Sequence, residues 1–286
     1  MILQLHTEVA AVQTTKMFLY GFFDYKYDIV GFESDIFSTN HFIFLAFAIV
    51  ALIFIAICAP YISHKKIDLY FKISAILLTF FEVTKVSWES YFDIVRGNNF
   101  NVGGILPFYT CSLLMYCSFV AGFGKGKAKE IALSWICTIG MVTGTIVLVY
   151  PNGLRYYPVW TFGGMHTLMY HFMLVCSATL ALFSNYKRLT WKDIYISVVP
   201  MLMLAPIAIT LNYVFKADYM QIYDASGVPI MSDLASKLAS HNLRWIFTII
   251  MFSTYFVLSA IVIAIYKLIN IIKTKEVVSE KEIVRE

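Results

Sequence analysis

Apolar residues gather into seven stretches, at about 42–62, 69–92, 105–123, 131–150, 160–183, 194–214 and 245–268. Each is long enough, as a helix, to cross a hydrocarbon layer about 30 Å thick. The pattern predicts an all-α membrane protein, a bundle of seven transmembrane helices spanning residues 41–268. Residues 1–40 are aromatic-rich but interrupted by Asp24, Lys26, Asp28 and Glu33, so they read as an external amphipathic segment lying at the interface. Residues 269–286 read as a charged tail that frays in the cytoplasm.

Lysines and arginines alternate between the connecting segments. Lys65 and Lys66, then Lys125, Lys127 and Lys129, then Lys187, Arg188 and Lys192, and finally Lys267, Lys273 and Lys275 fall on one side. Positive residues accumulate on the cytoplasmic side, which predicts the N-terminus outside and the C-terminus inside. The external stretch from Ala217 to Arg244 carries turn residues at Ser226, Gly227 and Pro229 and reads as a lid over the outer mouth.

Composition agrees with this picture. Apolar residues make up 59% of the 286 and charged residues 14%, against roughly a quarter charged in a soluble domain, which rules out an ordinary soluble enzyme. The formal net charge of +4 carries topology and excludes nucleic acid as a partner. The five cysteines all lie in apolar stretches and read as reduced thiols. Gly140 and Gly144 form a GxxxG on the fourth helix and are read as packing positions, and Pro200 and Pro206 are expected to kink the sixth.

The physical anomaly is the second helix, FFEVTKVSWESYFD, where Glu82, Lys85, Glu89 and Asp93 occupy a bilayer-depth segment. At 100° per residue they fall within an arc of about 80°, and intramembrane charges face a bundle interior or water. The stripe predicts an internal cleft. The alternative is structural: Glu89 and Asp93 at the outer interface, with Glu82 and Lys85 paired as a buried strut.

The third segment opens with GGILPFYTC, where Pro107 suits a first helical turn. Cys111 then lies roughly 9 Å below the outer surface, where a helix N-terminus and Lys85 would favour its thiolate. The fifth helix carries His166 and His171. Five residues rotate by about 140°, which argues against a shared zinc ion and predicts that only one imidazole faces a given centre. No metal and no cofactor is expected. A thiol, an imidazole and a carboxylate at one depth are the ingredients of nucleophilic catalysis.

FSTNHFIF at 37–44, the second-helix glutamate, LPFYTCSLL at 106–114, the histidine of YHFMLVCSATLALF and NYVFKADYM at 212–220 resemble the YwaF-like family of bacterial membrane proteins, related to the eukaryotic transmembrane-protein-164 group. The resemblance runs from Phe37 to about Tyr266. It implies a bacterial plasma-membrane location and, from the eukaryotic relatives, acyl transfer on phospholipid or lysophospholipid through a cysteine and a histidine inside the bundle. By position these are Cys111 and His171, with Glu82 or Glu89 as the acid. Lys85, Glu89, His166, Tyr109 and Asn212 would complete a polar cavity. This chain departs from the pattern at Tyr109, where bacterial relatives often have histidine, and at His166, where they often have glutamine. The residues also admit a transporter using the Glu82, Lys85 and Glu89 stripe, and a scaffold that binds a partner through residues 1–40.

Overall fold

The computed structural model describes residues 21–25, 34–95, 102–225 and 229–283. Ser226 and Gly227, most of the predicted interfacial segment and residues 284–286 lie outside these. The regular structure among the described residues is all helical, without a strand.

Helix α1 (Thr39–Cys58) starts where the Ser38 hydroxyl accepts from the His41 amide, satisfying one of the free first-turn N–H groups. Its outer face is bare, with Phe47, Val50, Phe54 and Ile57 all exposed, as a lipid-facing surface requires. The buried His41 is fully used within the fold: Nδ1 accepts from the Phe37 amide and Nε2 donates to the Leu148 carbonyl at 2.8 Å.

Helix α2 (His64–Val95) is about 48 Å long. Beyond it come α3 (Val102–Ile105), α4 (Leu113–Phe123) and α5 (Gly126–Trp135). A five-residue π-helical turn, Ile136–Gly140, joins α5 to α6 (Met141–Val149). Then follow α7 (Phe162–Phe183), α8 (Asp193–Ile196), α9 (Val199–Phe215), α10 (Pro229–Ser240) and α11 (Arg244–Ile283).

Helix α7 is the axis of the bundle: most of its residues are buried, and α1, α2 and α6 all pack against it. Gly144 makes the α6 approach possible. A Cβ there would stand 2.9 Å from Leu174 Cδ2, 3.0 Å from Val175 Cγ2 and 3.2 Å from the His171 carbonyl oxygen, so the GxxxG is a packing device. Trp135, Phe71, Ile67, Leu78 and Leu113 form the innermost core.

Five described helical runs are long and apolar enough to cross a membrane: Thr39–Tyr61, Gly126–Arg155, Phe162–Phe183, Asp193–Phe215 and Arg244–Ile271. They correspond to five of the seven predicted segments. The predicted second segment lies inside α2, whose length suffices but whose charges set it apart.

The predicted third segment departs more. Residues 106–112 are not helical, and α4, with 11 residues, reaches only about 16 Å. Pro107 and Cys111 therefore sit in an unwound stretch ahead of a helix rather than in its first turn. Unwound backbone at bilayer depth needs partners from elsewhere, and this stretch has them. The Leu106 amide donates to the Tyr219 hydroxyl at 3.1 Å, and the Tyr116 hydroxyl donates to the Pro107 carbonyl at 3.2 Å.

Two smaller expectations change as well. Pro200 lies in the first turn of α9 and so begins a helix, while Pro206 is inside it. The expected frayed tail continues instead as the end of α11, which is helical to Ile283.

The described pieces of the N-terminal segment dock on the C-terminal end of α2. Tyr25 is buried, stacks on Phe92 at 5.3 Å and donates to Asp93 at 3.3 Å. Trp88 Nε1 donates to the Phe23 carbonyl at 2.8 Å. Asp93 thus ends the polar stripe in an aromatic plug.

Candidate functional site

Three stretches of chain meet around a cavity of about 120 Å³. Helix α2 contributes Glu82 and Lys85, the unwound stretch contributes Tyr109, Cys111 and Ser112, and α7 contributes His166, Thr167, Tyr170 and His171. The unwinding matters because it carries the Cys111 thiol just ahead of the α4 N-terminus, where the helix dipole favours negative charge.

Both histidines line the cavity, from positions about 140° apart on the helix. On α7, His166 and Tyr170 form one i,i+4 row, and Thr167 and His171 form the row beside it. The cavity lies across both rows, so the two imidazoles line it from adjoining positions. The rings of His166 and Tyr170 are 5.4 Å apart.

The imidazoles are in different states of engagement. His171 Nδ1 lies 2.6 Å from the Thr167 carbonyl oxygen. A carbonyl only accepts, so Nδ1 carries the proton and Nε2 holds a free lone pair. His171 is thereby fixed in the tautomer a general base needs. His166 Nε2 stands 3.7 Å from Glu82 Oε2, and Glu82 Oε1 stands 3.6 Å from Lys85 Nζ. Lys85 also faces Glu89 Oε2 at 3.7 Å. The second-helix acid therefore neighbours Lys85 and His166, and a backbone carbonyl orients His171.

The 217–225 segment packs behind Tyr109. The Tyr219 ring lies 5.0 Å from that of Tyr109. Asn212, expected as a cavity residue, is not in the lining. Its side chain is buried and clamps Tyr219: Nδ2 donates to the Tyr219 carbonyl at 3.0 Å, and Oδ1 accepts the Tyr219 amide at 2.7 Å. Tyr255 donates to the Met220 carbonyl at 2.9 Å. These bonds hold a segment with left-handed backbone at Lys216, Met220, Gln221 and Ala225, conformations that non-glycine residues adopt at a cost. Within this segment, burial and the neighbouring Asp224 push the Asp218 carboxyl up to about 6.

Thr167, Tyr170 and Ser112 were not singled out from sequence. The signal for the first two was present, since each stands four residues from one of the histidines. No group of three or more histidine, cysteine or acidic side chains gathers in a metal-binding arrangement among the described residues.

A long-helix bundle with a bare apolar exterior and a half-open cavity lined by a thiol, two imidazoles, a lysine and a carboxylate defines a polytopic membrane protein with a polar site between its helices. Residues 36–266 match the model of the TMEM164 family. That is most of the chain, and the protein belongs to this family. No curated protein and no solved structure matches it.

Proposed function

We propose that the protein is an integral-membrane lipid acyl-transfer enzyme in which Cys111 is the nucleophile and His171 the base. The observation carrying this reading is that a cysteine and a histidine held in its base-competent tautomer line one cavity. His171 Nε2 takes the thiol proton and the thiolate attacks an ester carbonyl carbon of a phospholipid. Collapse of the tetrahedral intermediate forms the acyl-thioester, and the lysolipid leaves as an alcohol with the proton from His171. A second alcohol, or water, then attacks the thioester with His171 again as base. Lys85 places a positive charge at the cavity wall.

The reading extends to topology and location: seven spans with α2 and the unwound stretch plus α4 as the two beyond the apolar five, N-terminus outside, C-terminus cytoplasmic. A place among the YwaF-like bacterial branch and in the plasma membrane belongs to the same proposal. The test is lipid turnover by the full chain. Cys111→Ala and His171→Ala are each expected to lower turnover by at least about 100-fold with unchanged yield of folded protein. Full turnover in either variant removes the mechanism.

A second reading rests on the buried Glu82, Lys85 and Glu89 stripe, whose spacings of 3.6 and 3.7 Å leave room for ion or proton exchange. It predicts uptake into proteoliposomes that depends on Glu82 and survives Cys111→Ala.

A further inference from the structure

Tyr170 is 4% exposed, and its hydroxyl is buried without a hydrogen-bond partner among the described residues. Buried hydroxyls in native structures are nearly always paired, so an orphan points to a role the folded chain alone does not fill. Its surroundings narrow that role. The phenolic oxygen lies beside the Met115 amide, in the first turn of α4, and within electrostatic reach of Cys111 and Glu82. An amide N–H only donates, and the Met115 amide donates to the Ser112 carbonyl at 3.1 Å, so nothing there accepts the phenol hydrogen at the wall of the cavity. The neighbouring Tyr116 spends its hydroxyl hydrogen on the Pro107 carbonyl. Lys85, the alternative electrophile, is flanked by two carboxylates.

We infer that Tyr170 is a further catalytic residue, the hydrogen-bond donor to the oxyanion that forms when the Cys111 thiolate adds to an ester carbonyl. This inference rests on the acyl-transfer reading and goes beyond it by assigning the electrophilic half of the reaction. As the sulfur–carbon bond forms, the carbonyl π pair moves to oxygen and the tyrosine O–H donates to it, the proton remaining on tyrosine. The carbonyl re-forms as the carbon–oxygen bond to the leaving alcohol breaks, and that alcohol takes its proton from His171. A preorganised donor of this kind acts mainly on the transition state.

The test uses the full-length protein in detergent micelles with p-nitrophenyl octanoate as the probe, following the burst of p-nitrophenol that counts acylation. Tyr170→Phe removes one oxygen atom and keeps the ring. It is expected to slow the burst about 100-fold with KM and melting temperature unchanged. A burst at the wild-type rate in Tyr170→Phe, together with its loss in Cys111→Ala, overturns the role of Tyr170 and leaves the acyl-transfer reading standing. An unaltered burst in Cys111→Ala, or no burst from the unaltered chain, overturns the reading on which it rests. A slow burst accompanied by a lower melting temperature and raised KM assigns Tyr170 to packing and overturns the inference.

Discussion

Two buried polar clusters in this protein are built from similar residues and differ in how completely they are satisfied. At one end of the bundle, the Asp193 carboxylate accepts from Ser134 at 2.5 Å, from Lys187 at 2.6 Å, and from the Thr190 amide and hydroxyl at 2.6 and 2.8 Å. Asp193 is 1% exposed and Lys187 7%. Around Cys111, by contrast, the lysine and glutamate stand 3.6 Å apart, and Glu82 Oε1, His166 Nε2 and the Tyr170 hydroxyl have no hydrogen-bond partner among the described residues. Full satisfaction marks a strut that ties the loop before α8 to α5. Incomplete satisfaction beside a cavity marks groups held ready for something outside the chain, because a fold gains nothing by burying polar atoms unpaired.

The comparison breaks most sharply at Lys187. Lys187→Met leaves the Asp193 carboxylate buried without its cation, and stability in detergent is expected to fall by about 3–5 kcal/mol, with turnover per folded molecule unchanged. Thermal unfolding and a specific-activity assay on the folded fraction check both halves; an equal loss of specific activity would mean that the strut and the cavity act as one unit.

Next in size is Gly144→Ala on α6. The added carbon meets Leu174 and Val175 at 3.0 Å or less, so stability should drop by about 1–3 kcal/mol. Because the same carbon presses on the His171 carbonyl, turnover should fall too, unlike the Lys187 variant. An increase in melting temperature would show that α7 yields without cost.

A smaller effect belongs to Asp218. Its folded-state value of about 6 lies above the ordinary 3.8 of an unfolded aspartate, so between these values the folded state binds more protons. Its contribution therefore favours folding at low pH and declines as pH rises from about 4 to 6. Hydrogen exchange of the 217–225 backbone should quicken over that window, and Asp218→Asn, which retains the oxygen accepting from Tyr223 and Asp224, should flatten the profile. Exchange that slows with rising pH, after correction for intrinsic rates, contradicts the assignment. Smallest of all in stability is Tyr170→Phe: the lost hydroxyl has no partner, so melting should shift by under about 1 kcal/mol.

Much of the fold was legible because lipid imposes a length and a polarity on each span, and five of the seven apolar stretches coincide with long apolar helices. The break at residues 106–112 was hidden because Tyr219, which accepts from the Leu106 amide, lies more than a hundred residues away, and the apolar run through Leu113–Phe123 is continuous in composition. The α2 stripe faced inward as its 100° spacing requires, although it ends in an aromatic plug contributed by Tyr25. Placing Glu82, Lys85, Cys111 and the two histidines at one depth brought together residues that line one cavity. His166 and His171, about 140° apart, line one cavity because it spans two rows of α7. Asn212, which the resemblance implied as a cavity residue, instead bonds to Tyr219, a partner seven residues on whose left-handed surroundings no periodicity reveals.

The most direct measurement is peptide mass spectrometry of protein purified from its membrane, comparing the unaltered chain with His171→Ala. The account predicts a fatty-acyl adduct on the peptide containing Cys111 that hydroxylamine removes, present in the unaltered chain and lost or sharply reduced in the variant. A free Cys111 thiol in both, after incubation with phospholipid vesicles, would contradict it.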